Sequence, residues 1–273
     1  PLRRINMALS RETMPAKPAD ARALFRQGAW TTRSSGICVG YTNANLCLVP
    51  RELAYDFLLF CQRNPKPCPV LEVLDSGDPI VRQLANGADI RTDLPRYRVF
   101  INGEVVDEPT DINKYWRDDL VTFLFGCSLT FEGALQAAGI EPRWRQGQDT
   151  GSGVFATNIE TVPAGRLHGP MVVSMRPIPT HQVPRAVQVT SRFPNHHGAP
   201  VHIGDPAAIG ITDLSKGEWV VGPKLLADEV PVFWACGVTP QTVARASKPE
   251  LMITHYPGHM FIGDIPSEQQ AAF

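Results

Sequence analysis

The sequence predicts an α/β protein, with a larger three-layer α/β domain interrupted by a smaller two-layer α+β insert. Three observations carry this. Apolar runs of strand length alternate with helical patterns along the chain. The 22 glycines and 25 prolines punctuate them at element ends. A chain of 273 residues with 43% apolar composition can build one large core or two modest ones. The larger domain is expected over residues 1–138 and 205–273, and the insert over 139–204.

Each element has a local reason. Residues 18–27 read as a helix, with Ala21, Leu24 and Phe25 on one face and Gly28 as its stop. Residues 37–49 are rich in strand formers, with a turn expected at 41–45, where Asn43 and Asn45 suit turn chemistry. Residues 50–63 read as a helix, because Pro50 suits a first turn and Leu53, Phe57, Leu58 and Cys61 recur at helical spacing. A strand follows at 69–74. Residues 97–106 read as a hairpin turning at Asn102-Gly103. The stretch 116–138 reads as helical, with a break at Gly126-Cys127-Ser128. From Gly139 to Gly169 short strands are expected. Strands at 171–178 and 200–203 flank a helix at 184–193, and strands at 230–235 and 251–255 flank a helix capped by Thr239.

Composition excludes several classes. The net charge is −1, and the longest basic feature is Arg3-Arg4, so no nucleic-acid partner is expected. No apolar run approaches the roughly 20 residues that span a bilayer, so no membrane partner is expected. No signal peptide is expected either. The six cysteines lack any C-x-x-C spacing, which favours reduced thiols in the cytoplasm over disulfides or a cysteine-held zinc.

The candidate chemistry gathers at strand ends, where open α/β sheets keep their ligand crevices. Cys127, at a helix start after Gly126, is read either as core or as a thiol whose pKa the helix dipole lowers. Cys236-Gly237 lies between a strand and a helix, which suits a nucleophile or an anion site. Two such cysteines suit an acid/base pair. His196, His197, His202, His255 and His259 lie near Asp205 and Asp264, and His202-Ile203-Gly204-Asp205 echoes Ile262-Gly263-Asp264. This group reads as acid/base or substrate-binding, with His202, His255 and Asp205 as catalytic candidates and His259 on the substrate. A divalent metal is the open alternative, although Pro257-Gly258 breaks any helix that would pair His255 with His259. Arg176, in an apolar strand, needs a carboxylate partner, either structural or a substrate acid. Asn43 and Asn45 are further ligand-binding candidates.

Assembled, these stretches resemble the bacterial hydro-lyase family that is also called D-glutamate cyclase-like. The matching residues include Gly40-Tyr41-Thr42-Asn43-Ala44-Asn45-Leu46, Gly126-Cys127-Ser128, Gly169-Pro170-Met171-Val172-Val173-Ser174-Met175-Arg176, His197-Gly198-Ala199-Pro200-Val201-His202-Ile203-Gly204-Asp205-Pro206 and the closing segment up to Asp264. The resemblance covers roughly Met14 to Asp264. It implies a two-domain α/β structure and loss of water from D-glutamate to give 5-oxo-D-proline. Arg176 would then clamp a carboxylate, His202 or His255 would move protons, and amides after Cys127 or Cys236 would hold an oxyanion. A thioester on either cysteine is an alternative route. Two other functions stay in view: a two-cysteine racemase or epimerase, and a non-catalytic module for small carboxylates. No cofactor is called for, and a homo-oligomer is compatible with all three.

Overall fold

Strand β1 (Tyr41–Pro50) is the axis of the protein in its computed structural model, which describes residues 13–142 and 152–272. Arg3-Arg4 and part of the Gly139–Gly169 stretch lie outside those residues. Every residue of β1 after Tyr41 is buried, because both faces of the strand are covered. Leu46 and Leu48 face one apolar cluster, and Cys47 and Val49 face another, following the two-residue period of a strand. The expected turn at 41–45 does not form. The asparagines stay in the strand because their amides find carbonyls: Asn43 bonds Tyr41 at 3.2 Å and Asn45 bonds Gly126 at 2.7 Å.

A seven-stranded sheet is built on β1. Its order is β2 (Val70–Val73), β5 (Leu120–Gly126), β1, β10 (Leu251–His255), β3 (Tyr97–Ile101) and β4 (Glu104–Asp107), with β11 (Phe261–Pro266) also paired to β1. Helices α2 (Arg51–Arg63) and α5 (Thr239–Ser247) pack on the face that holds Cys47, Phe123 and Met252. Helix α1 (Pro18–Arg26) packs beside β11, and Arg22 forks onto the Asp264 carboxylate at 2.9 and 3.0 Å. The β3–β4 hairpin turns at Asn102-Gly103 as its sequence predicts, with positive φ at both residues.

A second sheet of four strands has the order β6 (Gly153–Glu160), β7 (Pro170–Pro179), β9 (Glu229–Ala235) and β8 (His202–Ile203). Helices α3 (Glu132–Ala137) and α4 (Val183–Ser191) cover one face through Leu135, Ala186, Phe193 and Trp234. The protein is mixed α/β, and all its strand pairs are antiparallel among the described residues. The sheets do not divide at residue 205: β9 follows that point and pairs with β7 along seven positions from Val173–Ala235 to Pro179–Glu229.

One long element differs from its sequence reading. Residues 116–138 form a buried strand, β5, then a 3-10 turn at Ser128–Phe131 and the short α3. The run Leu120-Val121-Thr122-Phe123-Leu124-Phe125 is covered on both faces, so it lacks the polar alternation that marks a half-exposed strand. Thr239, expected as a helix cap, is instead the first residue of α5, and its hydroxyl donates to the Cys236 carbonyl at 2.8 Å.

Candidate active site

A break in strand pairing opens the site. On one edge of β1, β11 pairs as far as Ala44–Phe261 and β10 begins at Cys47–Thr254. Asn45 and Leu46 fall between the two registers. The Leu46 N–H therefore turns to a side chain, donating to Nδ1 of His255 at 3.2 Å. The Leu46 carbonyl lies 3.4 Å from the same nitrogen. A buried N–H is rarely left without an acceptor, whereas a carbonyl tolerates it better. This pattern assigns Nδ1 as acceptor and places the proton on Nε2. His255 is buried, and its Nε2 has no partner among the described residues. Burial keeps the ring neutral and pulls its pKa down to about 3.

Two thiols reach the same crevice from the ends of two strands. Cys127 follows β5, with its N–H shared between the Asn43 carbonyl at 3.1 Å and His196 Nδ1 at 3.2 Å. Cys236 follows β9, and its N–H donates to the Val172 carbonyl at 2.9 Å. Burial pushes the Cys127 thiol up to about 12 and the Cys236 thiol up to about 11. The expected lowering at Cys127 does not occur. A single 3-10 turn follows it rather than a long helix, and the Leu129 N–H and the Arg176 charge do not overcome desolvation. Both cysteines rest as neutral thiols.

The crevice holds about 500 Å³ of atom-free space, part of it open solvent. Asn45, Cys127 and His255 line it from the larger sheet, and Ser174 and Cys236 from the smaller one, with Ser128 and Arg33 alongside. Gly237 closes against the Asn45 amide so tightly that a Cβ there would sit 2.1 Å from the amide carbon.

Behind the crevice lies a buried ion pair. The Arg176 guanidinium donates to Glu132 Oε1 from Nε at 3.1 Å and from Nη2 at 2.7 Å. It also reaches Ser128 Oγ at 3.0 Å and Ser174 Oγ at 3.3 Å. The Phe131 and Trp234 rings pack against it, each ring centre 5.5 Å away.

Of the residues singled out in the sequence, Asn45, Cys127, Cys236 and His255 come together on this crevice. Arg176 lies behind its serines, engaged by Glu132. His202, Asp205, Asn43 and His259 do not line it. His202 Nε2 is 2.7 Å from the Asp205 carbonyl at the end of β8, and the Asp205 carboxylate accepts from the Ala207 N–H, capping a 3-10 turn. Asn43 is buried, and its Oδ1 has no partner among the described residues. His259 Nδ1 is 3.0 Å from the Pro257 carbonyl, and its ring packs edge-on to Tyr256. Among the described residues, no three His, Cys, Asp or Glu side chains are placed to hold a metal ion. Sequence reasoning missed Ser128, Ser174 and Arg33 as lining residues. A signal existed for Ser174: it stands two positions before Arg176 in β7, hence on the same face.

The fold and this crevice define an α/β protein whose two sheets meet at a cleft lined by both polar and apolar groups. The family model described as D-glutamate cyclase matches residues 121–264. A putative hydro-lyase of Thermoanaerobacter sp. (strain X514) is 59% identical over 93% of this chain and 96% of its own. One of Stutzerimonas stutzeri is 57% identical over 92% and 95%, and one of Bacillus subtilis is 53% identical over 93% and 98%. The chain belongs to the D-glutamate cyclase family, whose relatives bear the name hydro-lyase. Among solved structures, a nitrogen repressor-like protein of Methanococcus jannaschii overlaps 88% of this chain and 96% of its own, at 10% identity and a TM-score of 0.37, too low to inform the fold or the function.

Proposed function

We propose that this hydro-lyase closes D-glutamate to 5-oxo-D-proline with loss of water. The observation that carries the reading is the meeting of two neutral thiols, an unpartnered imidazole N–H and Asn45 in one crevice. In the reaction the substrate nitrogen bonds to the γ-carboxyl carbon, and one carbon–oxygen bond breaks. The ammonium gives up two protons, and the departing oxygen takes two and leaves as water. Two neutral thiols balance this: each gives one proton to the departing oxygen and recovers one from nitrogen, so both return to their starting states after one turnover. The His255 Nε2–H polarises the carboxylate oxygen, as a neutral imidazole can. Arg33 supplies positive charge for the α-carboxylate.

The same two thiols favour a second reading, racemisation by removal and return of the α-proton on opposite faces. One experiment separates them. D-Glutamate is incubated with the protein in heavy water, with and without chelator, and followed by NMR. The cyclase reading expects the lactam with hydrogen retained at Cα. Deuterium at Cα with L-glutamate appearing is the racemase outcome. Failure to convert either D-glutamate or 5-oxo-D-proline under every condition removes the cyclase reading.

A further inference from the structure

Ser128 and Ser174 are 6% and 3% exposed, line the crevice, and share one buried guanidinium. A guanidinium only donates, so each Oγ in these contacts is an acceptor. Each hydroxyl proton is then left to point elsewhere. Among the described residues neither hydroxyl donates to a protein acceptor, although both face a cavity. The guanidinium is held in place, because Glu132 engages two nitrogens of Arg176 and the Phe131 and Trp234 rings pack against it. His255, whose Nε2 has no partner among the described residues, lines the same crevice. Three neutral donors thus line one crevice, and none of them donates to a protein acceptor among the described residues.

We propose that Ser128, Ser174 and His255 form a three-donor cradle for one carboxylate of the substrate, and that Arg176 is a positioning residue that aims the two serine protons into it. The proposal rests on the reading of this crevice as a small-carboxylate site. The guanidinium charge is offset by Glu132 and stays out of direct contact with the ligand. Recognition is by hydrogen bonds to the oxyanion, so a carboxylate is accepted and a primary amide, which brings its own N–H groups, is rejected. This makes the cradle a specificity device for an acid over its amide, such as glutamate over glutamine.

The test is calorimetric titration of the full chain with glutarate and, separately, glutaramide. The native protein should bind glutarate and discriminate against glutaramide. Ser128→Ala and Ser174→Ala should each weaken glutarate by about tenfold or more, as expected for a lost hydrogen bond to a charged group, and leave glutaramide within about twofold. Arg176→Lys keeps the charge but loses the fork, and should shrink the glutarate-to-glutaramide ratio. A purely structural role for Arg176 would lower the melting temperature without moving that ratio. Unchanged glutarate affinity in folded serine variants, or no saturable glutarate binding by the native chain, overturns the proposal. Serine-dependent glutarate binding without turnover of D-glutamate upholds the cradle and removes the cyclase reading. Turnover with serine-independent binding does the reverse.

Discussion

At the scale of single residues, burial sets the chemistry of the site. A cysteine at a strand end is activated only if a charge or a helix dipole outweighs desolvation. Here the Arg176 charge is balanced by Glu132 and stands behind two serines, so desolvation wins at both thiols. The consequence is measurable at Cys236, the less buried of the two. Its alkylation by iodoacetamide should be slow at neutral pH and climb roughly tenfold per pH unit to about pH 10, since only the thiolate reacts. A plateau below pH 9 would show an activated nucleophile instead, and would favour the thioester route over the two-thiol proton exchange.

At the scale of elements, the site depends on how strand ends are held. The end of β5 carries Gly126, where a Cβ would lie 1.7 Å from the Asn195 carbonyl. That backbone also leads to His196, which bonds the Cys127 N–H. Gly126→Ala must therefore push β5 and the Pro194–His196 turn apart. We expect it to destabilise the protein by about 3 kcal/mol or more, the upper range for overpacking, with the shift read as a lower urea midpoint. A variant as stable as the native chain would mean that the two segments can separate without cost. The same element shows why pattern reading erred at 116–138. A short run covered on both faces has neither helical nor strand periodicity, and the partner strands β1 and β2 decide its conformation.

At the scale of the whole molecule, several histidines are enclosed as neutral groups. Burial lowers His196 and His259 to about 4, and His197 and His255 to about 3. Each folded-state value lies below the ordinary value near 6.5. The unfolded chain therefore binds protons that the folded one refuses once the pH drops below that value. The stability they contribute is full above about pH 6.5 and is lost as the pH falls towards 4. Each histidine adds up to about 1.4 kcal/mol per pH unit to the slope. Urea unfolding at pH 7, 6 and 5 should show a steep fall, and His197→Gln should flatten it. A stability unchanged between pH 7 and 5 would contradict the enclosure of these rings.

The chain's own pattern determined the local and the apolar. The Asn102-Gly103 hairpin, α2 and the buried strands β7, β9 and β10 follow from turn chemistry and hydrophobic spacing, which act over a few residues. Cys236 and His255 stand out because each ends an apolar run, and Cys127 because a helix is expected to start after Gly126. Tertiary structure alone decided which of them meet. Cys127 and Cys236 lie on different sheets, and only the packing of those sheets puts them on one crevice. His255 gains its role from the gap between β10 and β11 on β1, a register that involves residues about two hundred positions away. His202 and Asp205, alike in sequence to the closing segment, go to a sheet edge instead. Arg176 is expected from the sequence to need a carboxylate, structural or a substrate's, and the distant Glu132 supplies one. Side-chain chemistry is written along the chain, but its surroundings are set by contacts between remote segments, and burial, tautomer and proton affinity depend on those surroundings.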